Sequence, residues 1–100
     1  MKVGDHVEWT SQAGGFKKVK RGCIVAIVPP GVSLRRVFLA QKWSFTGGQY
    51  DCSVLDLVTY NDRIVESFLV AVAPPKGSKR RVKLYWPRVA SLKIVEVEVG

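Results

Sequence analysis

A pattern of sixteen residues occurs twice in this chain, and each copy has the composition of a β-hairpin. The copies are IVAIVPPGVSLRRVFL at residues 24–39 and LVAVAPPKGSKRRVKL at residues 69–84, and nine of their sixteen aligned residues are identical. Each has a β-branched apolar run, a Pro-Pro pair that cannot donate ladder hydrogen bonds, a turn containing Gly, and an Arg-Arg pair. The pattern predicts two strand–turn–strand hairpins with basic corners. A match this short also leaves open that two unrelated hairpins share common turn residues.

The positive charges are segregated along the chain. The formal net charge is +8, from 16 Lys and Arg against 8 Asp and Glu. Fourteen of the cations lie in two tracts without any acid, one between Glu8 and Asp51 and one between Glu66 and Glu96. Such segregation raises the local electrostatic potential and favours a polyanionic partner. The alternative is a charged surface that serves only solubility.

Length and composition are those of one globular domain spanning residues 1–100. A chain of 100 residues with 47% hydrophobic and 24% charged residues can form a single core. It has no apolar run near the ~18 residues of a membrane span and no signal-peptide pattern after Met1, so we expect a cytoplasmic protein. Cys23 and Cys52 are expected to be free thiols, with Cys23 buried in an apolar strand.

Alternating apolar residues and turn signals predict an all-β chain. Residues 3–9 alternate as a strand, residues 11–15 are predicted to be a loop, and Gly22 is predicted to mark a bulge or bend. The return strand of the first hairpin is predicted to reach Trp43, and a loop or third hairpin follows it. The remaining predicted strands are residues 53–59, 64–73, 82–86 and 92–99, with a short turn at residues 88–91. A run as short as residues 53–59 is also compatible with one helical turn.

Both ends of the chain carry residues typical of one family of small barrels. A Gly-Asp pair precedes the first strand and a glycine opens a strand of β-branched residues, the matching residues being Gly4, Asp5, Val7, Gly22, Ile24 and Val25. The chain resembles the SH3-like barrels of the KOW and Tudor type, in which a one-turn helix joins the fourth and fifth strands, as YWPRVASLKIV would here. The resemblance implies a barrel of about five to seven strands. Residues 40–62 are a central insertion that a minimal barrel lacks.

No residue pattern points to catalysis, a cofactor or a metal. His6 is the only histidine, and it could activate Cys23 or Cys52 only if the fold brought them together. The spacing of these residues and Asp51 contains none of the close pairs that zinc sites use. No Gly-rich loop precedes a predicted helix, so no phosphate-binding loop is expected. We therefore expect a protein that is not an enzyme and holds no cofactor.

Binding is the function that the sequence favours. Lys and Arg at hairpin corners can neutralise phosphates, and aromatic residues nearby can stack on unpaired bases. The predicted interface consists of Lys17, Lys18, Lys20, Arg21, Arg35, Arg36, Lys76, Lys79, Arg80, Arg81, Lys83, Trp43 and Tyr85. The predicted partner is the backbone of DNA or RNA, with little base specificity. The alternative is an SH3- or Tudor-like interaction module that docks an acidic protein, as an accessory or small inhibitor of a nucleoprotein complex.

Overall fold

The computed structural model describes residues 1–13, 15–43, 50–52, 55, 65–74 and 76–95. Strands predominate in this part of the chain, together with one short α-helix. The elements in chain order are β1 (His6–Ala13), β2 (Phe16–Val28), α1 (Leu34–Gln41), β3 (Tyr50–Asp51), β4 (Ser67–Val72), β5 (Val82–Tyr85), a 3₁₀ helix (Val89–Ser91) and β6 (Lys93–Ile94). The predicted predominance of β-structure is confirmed, with a helix that the prediction did not include.

The described strands form one six-stranded sheet in the order β3-β5-β4-β2-β1-β6. β1 and β2 form a long antiparallel hairpin whose register runs from His6 opposite Cys23 to Ala13 opposite Phe16. β2 continues beyond β1 to pair with β4, which pairs with β5, and both pairings are antiparallel. The short β3 extends one edge of the sheet as a parallel partner of β5. β2 therefore joins the two halves of the sheet, and residues 11–13 of the predicted loop belong to β1.

Each face of the sheet carries its own apolar core, because side chains alternate along every strand. On one face, which we call the α1 face, the buried residues are Leu34, Val37 and Phe38 of α1 and Ala26, Val28, Leu69 and Leu84 of the sheet. On the opposite face, which we call the Trp9 face, the buried residues are Val7, Trp9, Ile24, Phe68, Val70 and Leu92. Sequence neighbours such as Leu69 and Val70 accordingly belong to different cores.

The C-terminal segment packs over the Trp9 face. From β5 the chain crosses through the 3₁₀ helix to β6, which pairs with β1 and forms the edge of the sheet opposite β3. Val89 and Leu92 pack into the core of the Trp9 face on this path, and the Val95 N–H donates to the His6 carbonyl at 2.8 Å. The turn predicted at residues 88–91 is confirmed by this 3₁₀ helix, while residues 96–99 of the predicted last strand lie outside the described residues.

β2 has an irregularity in its pairing where it passes from β1 to β4. Its pairing register with β4 shifts between Ile24 and Ala26, an irregularity of the β-bulge kind that raises the local twist. The sequence predicted this irregularity at Gly22, but that glycine has a different role. A Cβ atom on Gly22 would lie 2.4 Å from the Ala71 carbonyl oxygen and 2.7 Å from Val70 Cγ1. Gly22 is therefore needed for the close approach of β2 to β4.

The prediction of two hairpins is wrong for the first copy of the repeated pattern. In that copy a strand is followed by α1, so a helix replaces the return strand predicted up to residue 43. Ser33 is the N-cap of α1, and its Oγ accepts a hydrogen bond from the Arg36 N–H at 3.3 Å. The spacing of Leu34, Val37 and Phe38 places their side chains on one face of the helix, where they are buried.

The second copy is a hairpin, as predicted. β4 and β5 pair antiparallel, and Ser78, the counterpart of Ser33, accepts a hydrogen bond from the Arg80 N–H at 3.2 Å. The donor here lies two residues after the serine instead of three, which is the geometry of a turn and not of a helix cap. The two copies therefore differ in secondary structure, and the pattern is not a duplicated hairpin.

Two further predictions fall on residues that are not described. These are the loop or third hairpin predicted after Trp43, of which residues 44–49 are not described, and, apart from Leu55, the strand at residues 53–59. Both cysteines are described and are free, and Cys23 lies in β2 as predicted but is half-buried instead of buried. No helix within the described residues is long and apolar enough to span a membrane.

Candidate nucleic-acid interface

An open pocket lies at the end of the sheet where β4 ends and β5 begins. Its volume is about 200 Å³. Its lining residues are Asp51, Val72, Ala73, Pro74, Arg80, Arg81, Lys83 and Tyr85. They come from β3, from the end of β4 and the residues after it, and from β5 and the turn before it. We call this site the Tyr85 pocket, and three of its lining side chains are cationic against one carboxylate.

Tyr85 brings two ammonium groups to one aromatic ring. Lys20 Nζ lies 4.3 Å from the ring centroid and Lys83 Nζ lies 5.8 Å from it. Cation–π attraction at exposed sites is worth about 0.5–1 kcal/mol, so the ring favours these positions of the flexible lysines. The ring is oriented in turn by Trp9, whose centroid lies 5.5 Å away in an edge-on arrangement. Lys20 reaches the ring because it is the partner of Trp9 in the β1–β2 ladder.

The connection between β4 and β5 adds cations to the same end of the sheet. Arg80 and Arg81 line the Tyr85 pocket and have exposed side chains. Lys76 and Lys79 precede them in this connection and are exposed as well. Together with Lys83, these residues form the basic corner that the sequence predicted for the second hairpin.

The β1–β2 hairpin supplies a second group of cations, which divides between the two faces. Lys18 and Lys20 lie on the Trp9 face, and Lys17 and Arg21 lie on the opposite face, because side chains alternate along β2. Lys17 and Lys18 are exposed. Arg21 Nε is paired with Glu8 Oε2 at 3.0 Å, so its charge is partly balanced. Within this group, Lys20 is the residue whose contact with Tyr85 places it at the pocket.

The Arg pair of the first copy lies on a different part of the molecule. Arg35 and Arg36 belong to α1 and have exposed side chains. α1 packs on the α1 face of the sheet, whereas Tyr85 packs with the core of the Trp9 face. The interface predicted from sequence is thus divided, and the second copy alone contributes its Arg pair to the Tyr85 pocket.

Trp43 belongs to an aromatic cluster on the α1 face. Its ring lies edge-on to Phe38, with 5.4 Å between centroids, and edge-on to Tyr50, with 5.3 Å between centroids. Trp43 is half-buried and packs against the core of that face. These contacts give Trp43 a packing role between α1 and β3.

Asp51 is a pocket residue that sequence reasoning missed. It is the partner of Lys83 in the parallel β3–β5 ladder. The pKa of the next residue, Cys52, is raised above its ordinary value by burial and by the Asp51 carboxylate, while Arg81 acts to lower it. These influences show that Asp51 and Arg81 both lie near the thiol. β3 has two residues and hence no periodic pattern, so only strand pairing identifies Asp51.

The fold makes His6 and Cys23 cross-strand partners in the β1–β2 ladder. The hydrogen-bond partner of Cys23 Sγ is the carbonyl oxygen of Ile24, at 3.7 Å, so the imidazole does not hold the thiol as a general base would. Within the described residues, no three His, Cys, Asp or Glu side chains lie close enough together to hold a metal ion. The Tyr85 pocket therefore remains the strongest candidate site.

Comparisons with known protein families, with curated proteins and with solved structures found no match for this chain.

Proposed function

We propose that the chain is a small SH3-like barrel of the KOW and Tudor type that carries an insertion. Without β3 the strand order is β5-β4-β2-β1-β6, an antiparallel meander whose last strand returns to the first. The 3₁₀ helix before this last strand has the position of the one-turn helix in such barrels. α1 and β3 belong to the segment between β2 and β4, which contains the predicted insertion at residues 40–62.

The function proposed for this barrel is binding to the phosphate backbone of DNA or RNA. The observation that carries it is the convergence of four cations on the Tyr85 pocket, namely Lys20, Arg80, Arg81 and Lys83. Lys and Arg side chains that neutralise phosphates release counterions, and this release supplies most of the sequence-independent affinity. The proposed surface consists of Lys20, Arg80, Arg81 and Lys83 together with the exposed Lys18 of β2 and the exposed Lys76 and Lys79 of the β4–β5 connection.

Phosphate contacts have more support at this surface than base stacking on Tyr85. The Tyr85 ring already contacts the Lys20 ammonium and Trp9, so a base stacked on its Lys20 side would have to displace that lysine. Phosphate contacts fix the register of a strand but do not read its bases. The cations alone therefore confer little sequence preference. The proposed protein is a binding module and not an enzyme.

The two Arg pairs of the chain allow a matched test. One variant combines Arg80→Ala with Arg81→Ala at the pocket, and the other combines Arg35→Ala with Arg36→Ala on α1. Binding to a fluorescent random-sequence oligonucleotide is followed by anisotropy at several salt concentrations. For the wild type we expect a log–log slope of about −3 to −6, because each neutralised phosphate contributes about −0.7 to −0.9.

The pocket variant should bind all sequences more weakly and reduce the magnitude of the slope by about 1.5 to 2. The α1 variant has the same net charge, and we expect it to change affinity and slope much less. Circular dichroism verifies beforehand that both variants are folded. Equal losses in the two variants would contradict the assignment of binding to the surface around the Tyr85 pocket.

An acidic protein is the alternative partner for the same surface. Polyglutamate presents carboxylates without phosphates or bases, and it is therefore the informative competitor. The two competitors are compared at equal concentration of charge. If polyglutamate displaces the oligonucleotide as effectively as unlabelled nucleic acid does, the acidic-protein interpretation is favoured. Weak competition by polyglutamate would favour nucleic acid.

A further inference from the structure

We infer that the Tyr85 pocket takes the base of one unpaired nucleotide and favours guanine, with Asp51 as the residue that selects it. This inference rests on the proposed function, in which the surrounding cations bind the nucleic-acid backbone. It adds a preference for unpaired strands and for one base, neither of which follows from the cations alone.

The pocket has the size and the walls for a single base. Its volume of about 200 Å³ is below the ~300 Å³ at which sites for drug-sized ligands begin. Val72, Pro74 and Tyr85 contribute apolar atoms to the lining. Such atoms can contact the flat faces of a base that is splayed out from a single strand.

The charges of the lining fit a nucleotide better than a simple anion. Arg80, Arg81 and Lys83 are cationic, and Asp51 adds a carboxylate to the same lining. A carboxylate repels a phosphate but accepts hydrogen bonds from N–H groups. A nucleotide presents both chemistries, because its phosphate oxygens suit the cations and the N–H groups of its base suit Asp51.

Guanine is the base that matches a carboxylate best. Its Watson–Crick edge carries two adjacent donors, N1–H and N2–H, which the two oxygens of one carboxylate can accept together. Adenine and cytosine place an acceptor nitrogen beside their amino group, and thymine and uracil flank N3–H with two carbonyl oxygens. Because a carboxylate has about four acceptor positions, it can accept both guanine donors together with a hydrogen bond from a cation.

The same geometry predicts a preference for single strands. The N1–H and N2–H donors of guanine are engaged in base pairing within a duplex, and they become accessible only when the base is unpaired. Duplexes should therefore bind through their phosphates to the cations around the pocket without using Asp51.

The experiment compares three fluorescent single strands of about ten nucleotides, within the usual site size of small single-strand binders. One contains thymidine throughout, one has a central guanosine, and one has inosine at that place, which removes only the N2 amino group. At one fixed salt concentration, the wild type should bind the guanosine strand at least about fivefold more tightly than the thymidine strand. Inosine should remove most of this difference.

Asp51→Asn is the variant that tests the selecting residue, and Glu66→Gln is its matched control. Glu66 is exposed and directly precedes β4, at the end of that strand away from the pocket. Both variants remove one negative charge, so both should bind the thymidine strand slightly more tightly. Asp51→Asn should lose the preference for guanosine, and Glu66→Gln should retain it.

Equal binding of the guanosine and thymidine strands by the wild type, or a preference that Asp51→Asn retains, would overturn the inference. Backbone binding with steep salt dependence would still stand in that case, whereas no binding to any strand would overturn the proposed function itself. If Asp51→Asn does not fold, the inference is tested instead by the rate at which Cys52 is alkylated in a Cys23→Ser variant in the presence of each strand. The guanosine strand should slow this alkylation more than the thymidine strand does, and equal protection would overturn the inference.

Discussion

At Gly22, β2 lies so close to β4 that a methyl group has no room. An added Cβ atom would lie 2.4 Å from the Ala71 carbonyl oxygen, which belongs to a paired strand and cannot move freely. We therefore expect Gly22→Ala to lower the free energy of unfolding by about 3 kcal/mol, at the upper end of overpacking effects. Gly31→Ala is the control, because Gly31 has open space around it and a φ of 74°. Conformational strain alone should cost about 1–2 kcal/mol there.

Urea denaturation measures the free energy of unfolding for both glycine variants. A loss at Gly22 no larger than the loss at Gly31 would contradict the close approach of the two strands.

The Cys52 thiol reports on the charges of the Tyr85 pocket. Burial and the Asp51 carboxylate raise its pKa, and Arg81 lowers it. Asp51→Asn should therefore lower the pKa of the Cys52 thiol. At a fixed pH below this pKa, the thiolate fraction then increases and alkylation becomes faster. Arg81→Gln should raise the pKa and slow alkylation at the same pH.

The alkylation rate is measured against pH in a Cys23→Ser background, because Cys23 is also a free thiol. The unsubstituted pocket in that background is the reference. If both variants shift the pH profile of the alkylation rate in the same direction, the opposed effects of Asp51 and Arg81 on the pKa of Cys52 are contradicted.

At the scale of elements, one sequence motif precedes a helix in one place and a strand in another. Ser33 and Ser78 each stand two positions before an Arg-Arg pair. Ser33 nevertheless caps α1, and Ser78 holds the turn before β5. The residues after the arginines distinguish the two, because VFLAQ continues a helix whose buried residues lie three and four positions apart. VKLYW instead alternates, with Leu84 buried between half-buried neighbours.

Substitution of the two serines tests this difference. Ser33→Ala removes the N-cap and should lower the free energy of unfolding by about 1 kcal/mol. Ser78→Ala removes a hydrogen bond in an exposed turn, and we expect a change of no more than about 0.5 kcal/mol. Urea denaturation followed by circular dichroism measures both. Equal losses would show that the cap at Ser33 contributes nothing particular to α1.

At the scale of the whole molecule, strand order collects charges that are distant in sequence. Lys20 comes from the β1–β2 hairpin and Arg80 and Lys83 from the β4–β5 hairpin, and they meet because β2 pairs with β4. α1 carries Arg35 and Arg36 to the other face. The potential at the pocket end is therefore higher than an even spread of the net charge of +8 would produce.

Local patterns in the sequence determined the predominance of strands, the hairpin of β4 and β5 with its basic corner, and the turn at residues 88–91. Each depends on neighbours along the chain, namely β-branched runs, prolines, and Gly or Ser in turns. The separation of the cations from the acids is likewise a property of the sequence alone.

Only the tertiary structure decided which of these residues share a site. Strand register brought Lys20 to Tyr85, and the pairing of a two-residue strand brought Asp51 into the pocket. The helical state of residues 34–41 also depends on the packing of α1 against the sheet, because an isolated helix of 8 residues is marginal in water. Register and packing are set by the apolar core of whole strands, and a shift of one residue would turn every side chain to the other face. No local motif carries that information, because the contacts that set the register join residues far apart in the chain.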